Sequence, residues 1–324
     1  MRYRTLGRTG LEVSEIGFGA WGIGRSMWIG AEDDESLRAL HRAFDLGVNF
    51  IDTALAYGDG HSETLVGRAV RERRERIYVA TKVPPKNMLW PARPGIPIAQ
   101  VFPYDYILSS TDQSLRHLGV EAIDVQQFHV WSSEWLDSDD WRRAIEHLKR
   151  AGKVRFFGIS INDYQPDSVL DTLRTGLIDC VQVIYNIYDP RAAGNLYPLC
   201  RELDIGVIAR VPLDEGGLTG AITPQATFPE GDWRRRYFKG PRKQQVWERA
   251  EMLKQVIGEG DGTLAQVALR FCLSNPAVST VIPGMRNTRN VESSCSVSDP
   301  GPLSPALLAR LKDHVWIRNF YQPD

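Results

Sequence analysis

The sequence lacks both a net charge and a long hydrophobic run. Its 324 residues hold 39 Lys and Arg against 40 Asp and Glu, for a formal net charge of −1. Nucleic acids and anionic lipid surfaces attract proteins with excess positive charge. No uncharged apolar run approaches the roughly 20 residues of a membrane helix, and no secretory signal is visible near the start. We therefore expect neither a nucleic-acid partner nor a membrane partner.

Cysteine and histidine are scarce, and their spacing is uninformative for metal binding. The four cysteines lie at least twenty residues apart without a C-x-x-C pair, and the six histidines show no metal-ligand spacing. This distribution disfavours a zinc ribbon, a thioredoxin-type motif and a dense disulfide framework. We predict a cytoplasmic protein with reduced thiols and no bound metal.

What the chain does contain is a regular alternation of two patterns. Several short runs are continuously apolar, which is typical of parallel strands buried on both faces. Segments with the spacing of amphipathic helices lie between them. Eight such units predict a (β/α)8 TIM barrel in a single domain, residues 1–324, with an N-terminal β-hairpin and a C-terminal helix. The predicted strands are 16–20, 48–52, 77–82, 123–129, 154–160, 180–185, 206–210 and 279–283; the helices are 33–46, 62–71, 105–118, 139–151, 167–173, 195–203, 242–257 and 263–273; the hairpin is 3–13 and the last helix is 305–317.

Two connections are longer than a barrel needs. Residues 84–103 and 213–241 each follow a predicted strand, so both lie at the C-terminal face, where barrel enzymes build their sites.

A glycine motif supports another fold, because residues 17–22 match the dinucleotide-binding pattern G-x-G-x-x-G. That pattern requires a helix to begin at its glycines. Here helical spacing begins only at Asp33, so a Rossmann-type dehydrogenase is the weaker alternative.

Four ionisable residues follow the ends of three successive predicted strands. Asp52, Lys82 and His129 each end a strand, and Tyr57 lies five residues after Asp52. Taken singly, each has an ordinary structural explanation, although charged groups seldom end apolar strands unless they are paired. Because strand ends converge on one mouth of a barrel, the four side chains are predicted to share a site.

This combination suits proton donation to a carbonyl oxygen. Tyrosine holds its proton at neutral pH, since its ordinary pKa is ~10. A neighbouring ammonium group lowers the pKa of the phenol, and a carboxylate keeps that ammonium charged and in place. The set therefore predicts protonation of a developing alkoxide. None of the four residues supplies electrons, so a hydride-carrying cofactor is required.

Longer motifs surround these four positions. On their evidence the chain resembles the aldo-keto reductase superfamily over essentially its whole length. The motifs are D-T-A-L-A-Y-G over residues 52–58, Ser62-Glu63, A-T-K-V over residues 80–83, S-L-R over residues 114–116 and the strand that runs from Ile123 to His129.

The resemblance implies an NADPH/NADP+-dependent oxidoreductase. Such an enzyme reduces a small aldehyde or ketone to an alcohol, or runs the reverse oxidation. Tyr57 is implied as the general acid, with Lys82 and Asp52 as the pair that tunes it. His129 is implied as the residue that orients the carbonyl group.

The same resemblance implies a set of cofactor contacts. Ser160, Asn162 and Gln182 match the residues that hold the nicotinamide carboxamide, although one extra residue separates Ser160 from Asn162. Arg210 replaces the family's usual aromatic ring on the nicotinamide, and a guanidinium plane can also stack. Ser293 and Ser294 stand where Glu and Asn often contact the adenine. The remaining implied contacts are Trp21, Pro212, Leu213, Gly216, Gly217, Leu218, Gly284, Arg286 and Asn290.

Arg286 carries the expected preference for NADPH over NADH. The two cofactors differ by one phosphate group, which a guanidinium group at a helix N-terminus can hold. Arg289 is a candidate for a second contact. A solvated surface arginine is the alternative at position 286.

Tryptophans in the predicted strand-end loops are candidates for the wall of an apolar substrate pocket. They are Trp21, Trp28, Trp90 and Trp131, and we favour core packing for at least one of them. A non-catalytic subunit of the same fold, which senses NADPH and regulates a membrane partner, is a further alternative. The intact set of Asp52, Tyr57, Lys82 and His129 favours an enzyme.

Overall fold

Eight parallel strands form a closed barrel at the centre of the molecule. The computed structural model describes residues 1–318, and the strands in this part of the chain are β1 (Tyr3–Thr5), β2 (Glu12–Ser14), β3 (Phe18–Gly19), β4 (Phe50–Asp52), β5 (Tyr78–Val83), β6 (Ile123–Phe128), β7 (Val154–Ser160), β8 (Cys180–Ile184), β9 (Gly206–Arg210) and β10 (Thr280–Val281). Strands β3 to β10 are neighbours in chain order, and each adjacent pair is parallel. Bridges from Ile16 to Val281 and from Gly19 to Gly284 close the sheet. The predicted (β/α)8 fold is confirmed.

Glycines of the G-x-G-x-x-G segment allow this closure. A Cβ atom on Gly19 would lie 2.7 Å from the carbonyl oxygen of Ile282, which is closer than real Cβ atoms approach. The segment continues into a short 3₁₀ turn, and the first α-helix begins at Asp33. The glycines therefore serve close strand packing, and the Rossmann-type alternative is wrong.

The N-terminal hairpin closes the opposite end of the barrel. Strands β1 and β2 pair in antiparallel fashion. Leu6, Leu11 and Val13 are buried with Phe50 and Ile208 inside the barrel. Because the hairpin covers the N-terminal end of the barrel, the C-terminal end of the strands stays open for a site.

Helices surround the barrel, and most begin and end within two residues of their predicted bounds. They are α1 (Asp33–Asp45), α2 (His61–Arg71), α3 (Tyr104–Leu118), α4 (Asp139–Arg150), α5 (Leu170–Arg174), α6 (Leu196–Glu202), α7 (Trp233–Tyr237), α8 (Arg242–Val256), α9 (Leu264–Leu273), α10 (Thr288–Cys295) and α11 (Pro305–Leu311). In α1, Leu37, Leu40 and Phe44 face the core behind an acidic first turn. Among these helices of residues 1–318, none is long and apolar enough to cross a membrane.

Four helices differ from the prediction, and one of them, α10, lies outside all of the predicted ranges. The segment predicted as 167–173 begins with a 3₁₀ turn, Pro166–Val169, and only then becomes α5. The last helix is shorter than 305–317, because α11 gives way to a 3₁₀ turn, Lys312–His314. Helix α7 lies inside the long connection 213–241, where no helix was predicted.

Candidate active site

Asp52 and Lys82 form a buried ion pair at the C-terminal end of the barrel. Asp52 lies opposite Ala80 in the sheet, and Lys82 follows two residues later on the same face of its strand. Lys82 Nζ lies 2.6 Å from Asp52 Oδ2 and donates a hydrogen bond to the carbonyl oxygen of Thr53 at 2.8 Å. Burial lowers the pKa of Lys82, and the carboxylate of Asp52 opposes that effect. Asp52 thus helps the buried amine to keep its charge.

Two glutamine amides hold the second oxygen of Asp52. Gln182 Nε2 donates to Asp52 Oδ1 at 2.6 Å, and Gln127 Nε2 donates to the same oxygen at 3.3 Å. Gln127 is absent from the predicted site, although its spacing of two from buried Val125 points its side chain into the barrel. The carboxylate is therefore fixed by contacts from β5, β6 and β8.

Tyr57 contacts this pair from the loop after β4. Its hydroxyl oxygen lies 3.4 Å from Lys82 Nζ, and the ammonium group lies 5.0 Å from the centre of its ring. The proximity of Lys82 does not produce a net fall in the pKa of Tyr57 in this structure. Burial, followed by the charge of Asp52, raises the pKa of Tyr57 well above its usual value, although Arg210 opposes the shift. The phenol therefore holds its proton firmly.

His129 completes the group on the other side of Tyr57. The two ring centres are 5.7 Å apart in an edge-to-face arrangement. Burial, then the positive charges of Lys82 and Arg210, lower the pKa of His129 well below its usual value. The imidazole is consequently neutral at pH 7 and carries one N–H donor. The structure thus brings together the four residues that the sequence predicts to share a site.

Aromatic rings flank this mouth of the barrel. The ring centre of Trp21 lies 6.2 Å from that of Tyr57, and the ring centre of Trp90 lies 5.7 Å from that of His129. Trp233 of α7 lies 6.0 Å from Trp21 and brings the 213–241 connection to the mouth. Its contribution was not predicted, because the path of so long a connection depends on tertiary contacts.

Trp131 is a core residue, and its predicted place in the pocket wall is wrong. Its side chain is fully buried and packs against Trp135 and Trp141. The indole N–H donates to Thr172 Oγ1 at 3.0 Å. It is the tryptophan for which core packing holds.

A second cationic group, Arg210, lies beside the mouth at the end of β9. Its guanidinium group donates to the carbonyl oxygen of Ile161 at 2.8 Å and forms an ion pair with Asp163. The charge of Arg210 acts on Tyr57 and His129, lowering the pKa of each. Asp163, which was not predicted as a site residue, holds this charge in place.

Comparisons with known proteins agree with this geometry. Residues 15–315 match the sequence model of the Aldo/keto reductase family. The chain belongs to the aldo/keto reductase family. It is 29% identical over 303 residues to Aldo-keto reductase YhdN of Bacillus subtilis (strain 168), covering 90% of this chain and 87% of that protein. It is 30% identical to NADH-specific methylglyoxal reductase of Escherichia coli (strain K12), covering 79% and 78%.

A solved structure of the same fold supports the assignment. The glycerol dehydrogenase AKR11B4 from Gluconobacter oxydans is 26% identical in sequence to this chain. The two structures match with a TM-score of 0.79 over 96% of this chain and 94% of that one. The protein is thus an oxidoreductase of the aldo/keto reductase family.

The three residues predicted to contact the nicotinamide carboxamide differ in how many hydrogen bonds they already make within the protein. The Ser160 hydroxyl, at the end of β7, makes no hydrogen bond within residues 1–318 and is available to a ligand. Gln182 commits one amide N–H to Asp52. Asn162 makes four hydrogen bonds, to Ala92 N, Ala92 O, Trp131 N and Gln165 Oε1. Its amide capacity is therefore used within the protein, so its predicted carboxamide contact would require the exchange of one of these bonds.

The predicted pyrophosphate segment follows β9 as a strained turn. Pro212 and Leu213 lead into it, Asp214 and Glu215 have φ of 47° and 53°, and Gly216 follows with a φ of +106°. A Cβ atom on Gly217 would lie 2.5 Å from the carboxylate of Asp214. Leu218 has its side chain in the core, so only its backbone can face a ligand.

A buried cluster anchors this turn to the long connection. Asp214 accepts hydrogen bonds from the Tyr237 hydroxyl and, at 3.1 Å, from Arg242. Tyr237 ends α7 and Arg242 begins α8. The turn and the connection are therefore held together by one carboxylate.

Two arginines flank Trp28 on the side of the mouth where the adenosine phosphate is expected. The guanidinium groups of Arg286 and Arg234 lie 6.0 Å and 4.6 Å from the Trp28 ring. Burial, and then the like charge of Arg234, lower the pKa of Arg286. Trp28 Nε1 is buried and has no hydrogen-bond partner within residues 1–318. Arg234 is already paired with Asp232 through two hydrogen bonds at 2.8 Å, whereas Arg286, within the same residues, donates only to the carbonyl oxygen of Ile29, at 3.1 Å. Arg286 and the unused N–H of Trp28 are thus the groups on this side that fit a phosphate group.

The neighbouring predicted contacts lie close by in the chain. A Cβ atom on Gly284 would meet no atom within 4 Å, so the space above it is open. Asn290 and Arg289 lie in the first turn of α10, and both are exposed. In the described part of the chain, no three His, Cys, Asp or Glu side chains are arranged to hold a metal ion.

Proposed function

We propose that the protein is an NADPH-dependent reductase of aldehydes or ketones, which also catalyses the reverse oxidation. The observation that carries the proposal is the placement of Tyr57 against a buried Lys82–Asp52 ion pair, with a neutral His129 beside it. A substrate carbonyl placed between Tyr57 and His129 meets two hydrogen-bond donors. No metal ion is needed for this polarisation.

The roles of the residues follow from their protonation states. Tyr57 carries the proton that the alkoxide oxygen needs, and its raised pKa keeps the phenol protonated until that oxygen gains charge. Lys82 then stabilises the phenolate, because its ammonium group lies 3.4 Å from the oxygen. His129 donates its single N–H to the carbonyl oxygen and orients it. A bound nicotinamide cofactor would supply the hydride.

The preference for NADPH is proposed from the cations around Trp28. The E. coli relative is named for NADH, so family membership leaves the choice of cofactor open. Arg286 is the residue that would distinguish the two cofactors, since its guanidinium group can hold the additional phosphate, whereas neighbouring Arg234 is already paired with Asp232. We propose a cytoplasmic location, which agrees with four free, buried cysteines.

The proposal is tested by the oxidation of NADPH in the presence of a panel of aldehydes, ketones, sugars and quinones. Steady-state turnover with members of the panel, and slower turnover with NADH, would support it. Tight binding of NADPH without turnover on any member would instead favour the non-catalytic sensor. A clear preference for NADH would refute the cofactor assignment.

A further inference from the structure

Ser62 and Glu63 have no role in the chemistry proposed above. Both lie in the first turn of α2, which begins at His61, and both side chains are fully buried. A buried carboxyl group costs free energy unless it is paired. Among residues 1–318, no Lys or Arg pairs with Glu63, and its ion-pair partner is the partly exposed His117, whose Nδ1 lies 3.1 Å from Glu63 Oε2. This cost indicates that the Glu63 carboxyl does more than fill space.

Ser62 connects the start of α2 to two backbone segments of the site. Its backbone N–H donates to the carbonyl oxygen of Tyr57 at 3.2 Å. Its hydroxyl donates to the carbonyl oxygen of Ala20 at 2.9 Å, so it accepts from the Thr53 hydroxyl, 2.8 Å away. The carbonyl oxygen of Thr53 accepts in turn from the Lys82 ammonium group at 2.8 Å. One helix turn thus holds the Tyr57 loop and the peptide to which Lys82 is bonded.

Glu63 connects the same turn to β5, the strand that carries Lys82. Its Oε1 accepts a hydrogen bond from Thr81 Oγ1 at 2.6 Å, and both side chains are fully buried. Thr81 directly precedes Lys82 and faces away from the barrel interior, because successive residues of a strand face opposite sides. Burial lowers the pKa of Lys82, and the charge of Glu63, after that of Asp52, opposes the shift. The strand is therefore held from outside the barrel, at the residue next to the ammonium group.

We propose that Glu63 is a positioning residue that acts through Thr81 on Lys82. The ammonium group of Lys82 lies 3.4 Å from the Tyr57 oxygen, so a small displacement of β5 would lengthen this contact and weaken its support of a phenolate. A misplacement of about 1 Å at a reacting group can lower a rate about 100-fold. The bond between Glu63 and Thr81 opposes such a displacement, because it connects β5 to the turn that holds the Tyr57 loop. This inference rests on the proposed function.

The test breaks this hydrogen bond from each end. Thr81→Val replaces the hydroxyl with a methyl group of similar size, and Thr81→Ser keeps the hydroxyl. Glu63→Ala removes the acceptor, Glu63→Gln keeps one acceptor oxygen, and this pair serves if Thr81→Val fails to fold. Thr111→Val is the matched control, because Thr111 is a fully buried threonine of α3 whose hydroxyl donates to Ile107 of its own helix at 2.9 Å.

The measured quantity is kcat per NADPH-binding site, with a saturating aldehyde that the wild-type protein reduces and with the sites counted by fluorescence titration. We expect kcat to fall about 10- to 100-fold in Thr81→Val and Glu63→Ala, while the dissociation constant of NADPH stays unaltered. Thr81→Ser and Glu63→Gln should recover most of the loss, and Thr111→Val should keep wild-type kcat.

An equal fall in Thr111→Val, or a loss that the two conservative variants do not recover, would make the effect one of general packing and overturn the inference. Wild-type turnover matched by Thr81→Val and Glu63→Ala would overturn the inference alone. Absence of turnover in the wild-type protein would overturn the proposed function, and this inference with it.

Discussion

Tyr57→Phe removes one oxygen atom from the site and leaves the ring in place. The lost atom is the proton donor of the proposed reaction, and a positioned acid contributes about 10²–10⁴-fold to a rate. We therefore expect kcat to fall by at least this lower factor, which corresponds to roughly 3 kcal/mol in the activation barrier.

The same substitution should leave the fold and the cofactor affinity nearly unaltered. The hydroxyl lies 3.4 Å from Lys82 Nζ, a long contact, and Lys82 keeps its shorter bonds to Asp52 and Thr53. The free energy of unfolding should therefore change by less than about 1 kcal/mol. A loss of activity accompanied by unfolding would point to packing instead of chemistry.

The assay is the consumption of NADPH with a saturating aldehyde, measured beside a fluorescence titration of NADPH and a urea melt. Tyr78→Phe is the matched control, because Tyr78 begins β5 at the far end of the barrel and its hydroxyl makes no hydrogen bond within residues 1–318. Retention of more than about a tenth of wild-type turnover by Tyr57→Phe would refute the assignment of the acid.

Three further predictions concern the ion pair, the cofactor and metal. Asp52→Asn leaves the ammonium of Lys82 buried without a counter-ion, so the free energy of unfolding should fall by about 3–5 kcal/mol; an unaltered urea midpoint would contradict this. Arg286→Ala should weaken NADPH binding about 10- to 150-fold and leave NADH binding almost unchanged. Equal losses for the two cofactors, seen by fluorescence titration, would make Arg286 a support for its loop through Ile29. Activity should survive prolonged treatment with EDTA followed by dialysis, and inactivation reversed by zinc would show that a metal takes part.

The barrel and the positions of its strand-end residues could be predicted because they depend on local patterns. Buried parallel strands are continuously apolar, and a charged residue at such an end is conspicuous. Asp52, Lys82 and His129 are all of this kind. The position of Tyr57 could not be predicted from local spacing alone, since only barrel closure and a multi-residue motif place its loop beside Lys82.

Trp131 and Asn162 show what sequence spacing leaves out, because their hydrogen bonds go to distant partners. Trp131 donates its indole N–H to Thr172, forty-one residues further along the chain. Asn162 forms hydrogen bonds with Ala92, Trp131 and Gln165, of which Ala92 lies seventy residues away in the chain. Neither partner is visible from the residue itself. Sequence spacing identifies a side chain that can hydrogen-bond, whereas the structure decides which of its bonds are already made.

The raised pKa of Tyr57 shows why the site needs the hydrogen bonds that connect Lys82, Asp52 and the two glutamines. Burial raises the pKa of the phenol and lowers the pKa of the Lys82 amine, so both groups are pushed toward their neutral forms. A neutral amine gives no support to a phenolate. Asp52 opposes the shift at Lys82, and Gln127 and Gln182 hold Asp52 by its other oxygen. Four strands of the barrel thus act on a single proton, which stays on the phenol until a carbonyl oxygen gains negative charge and can take it.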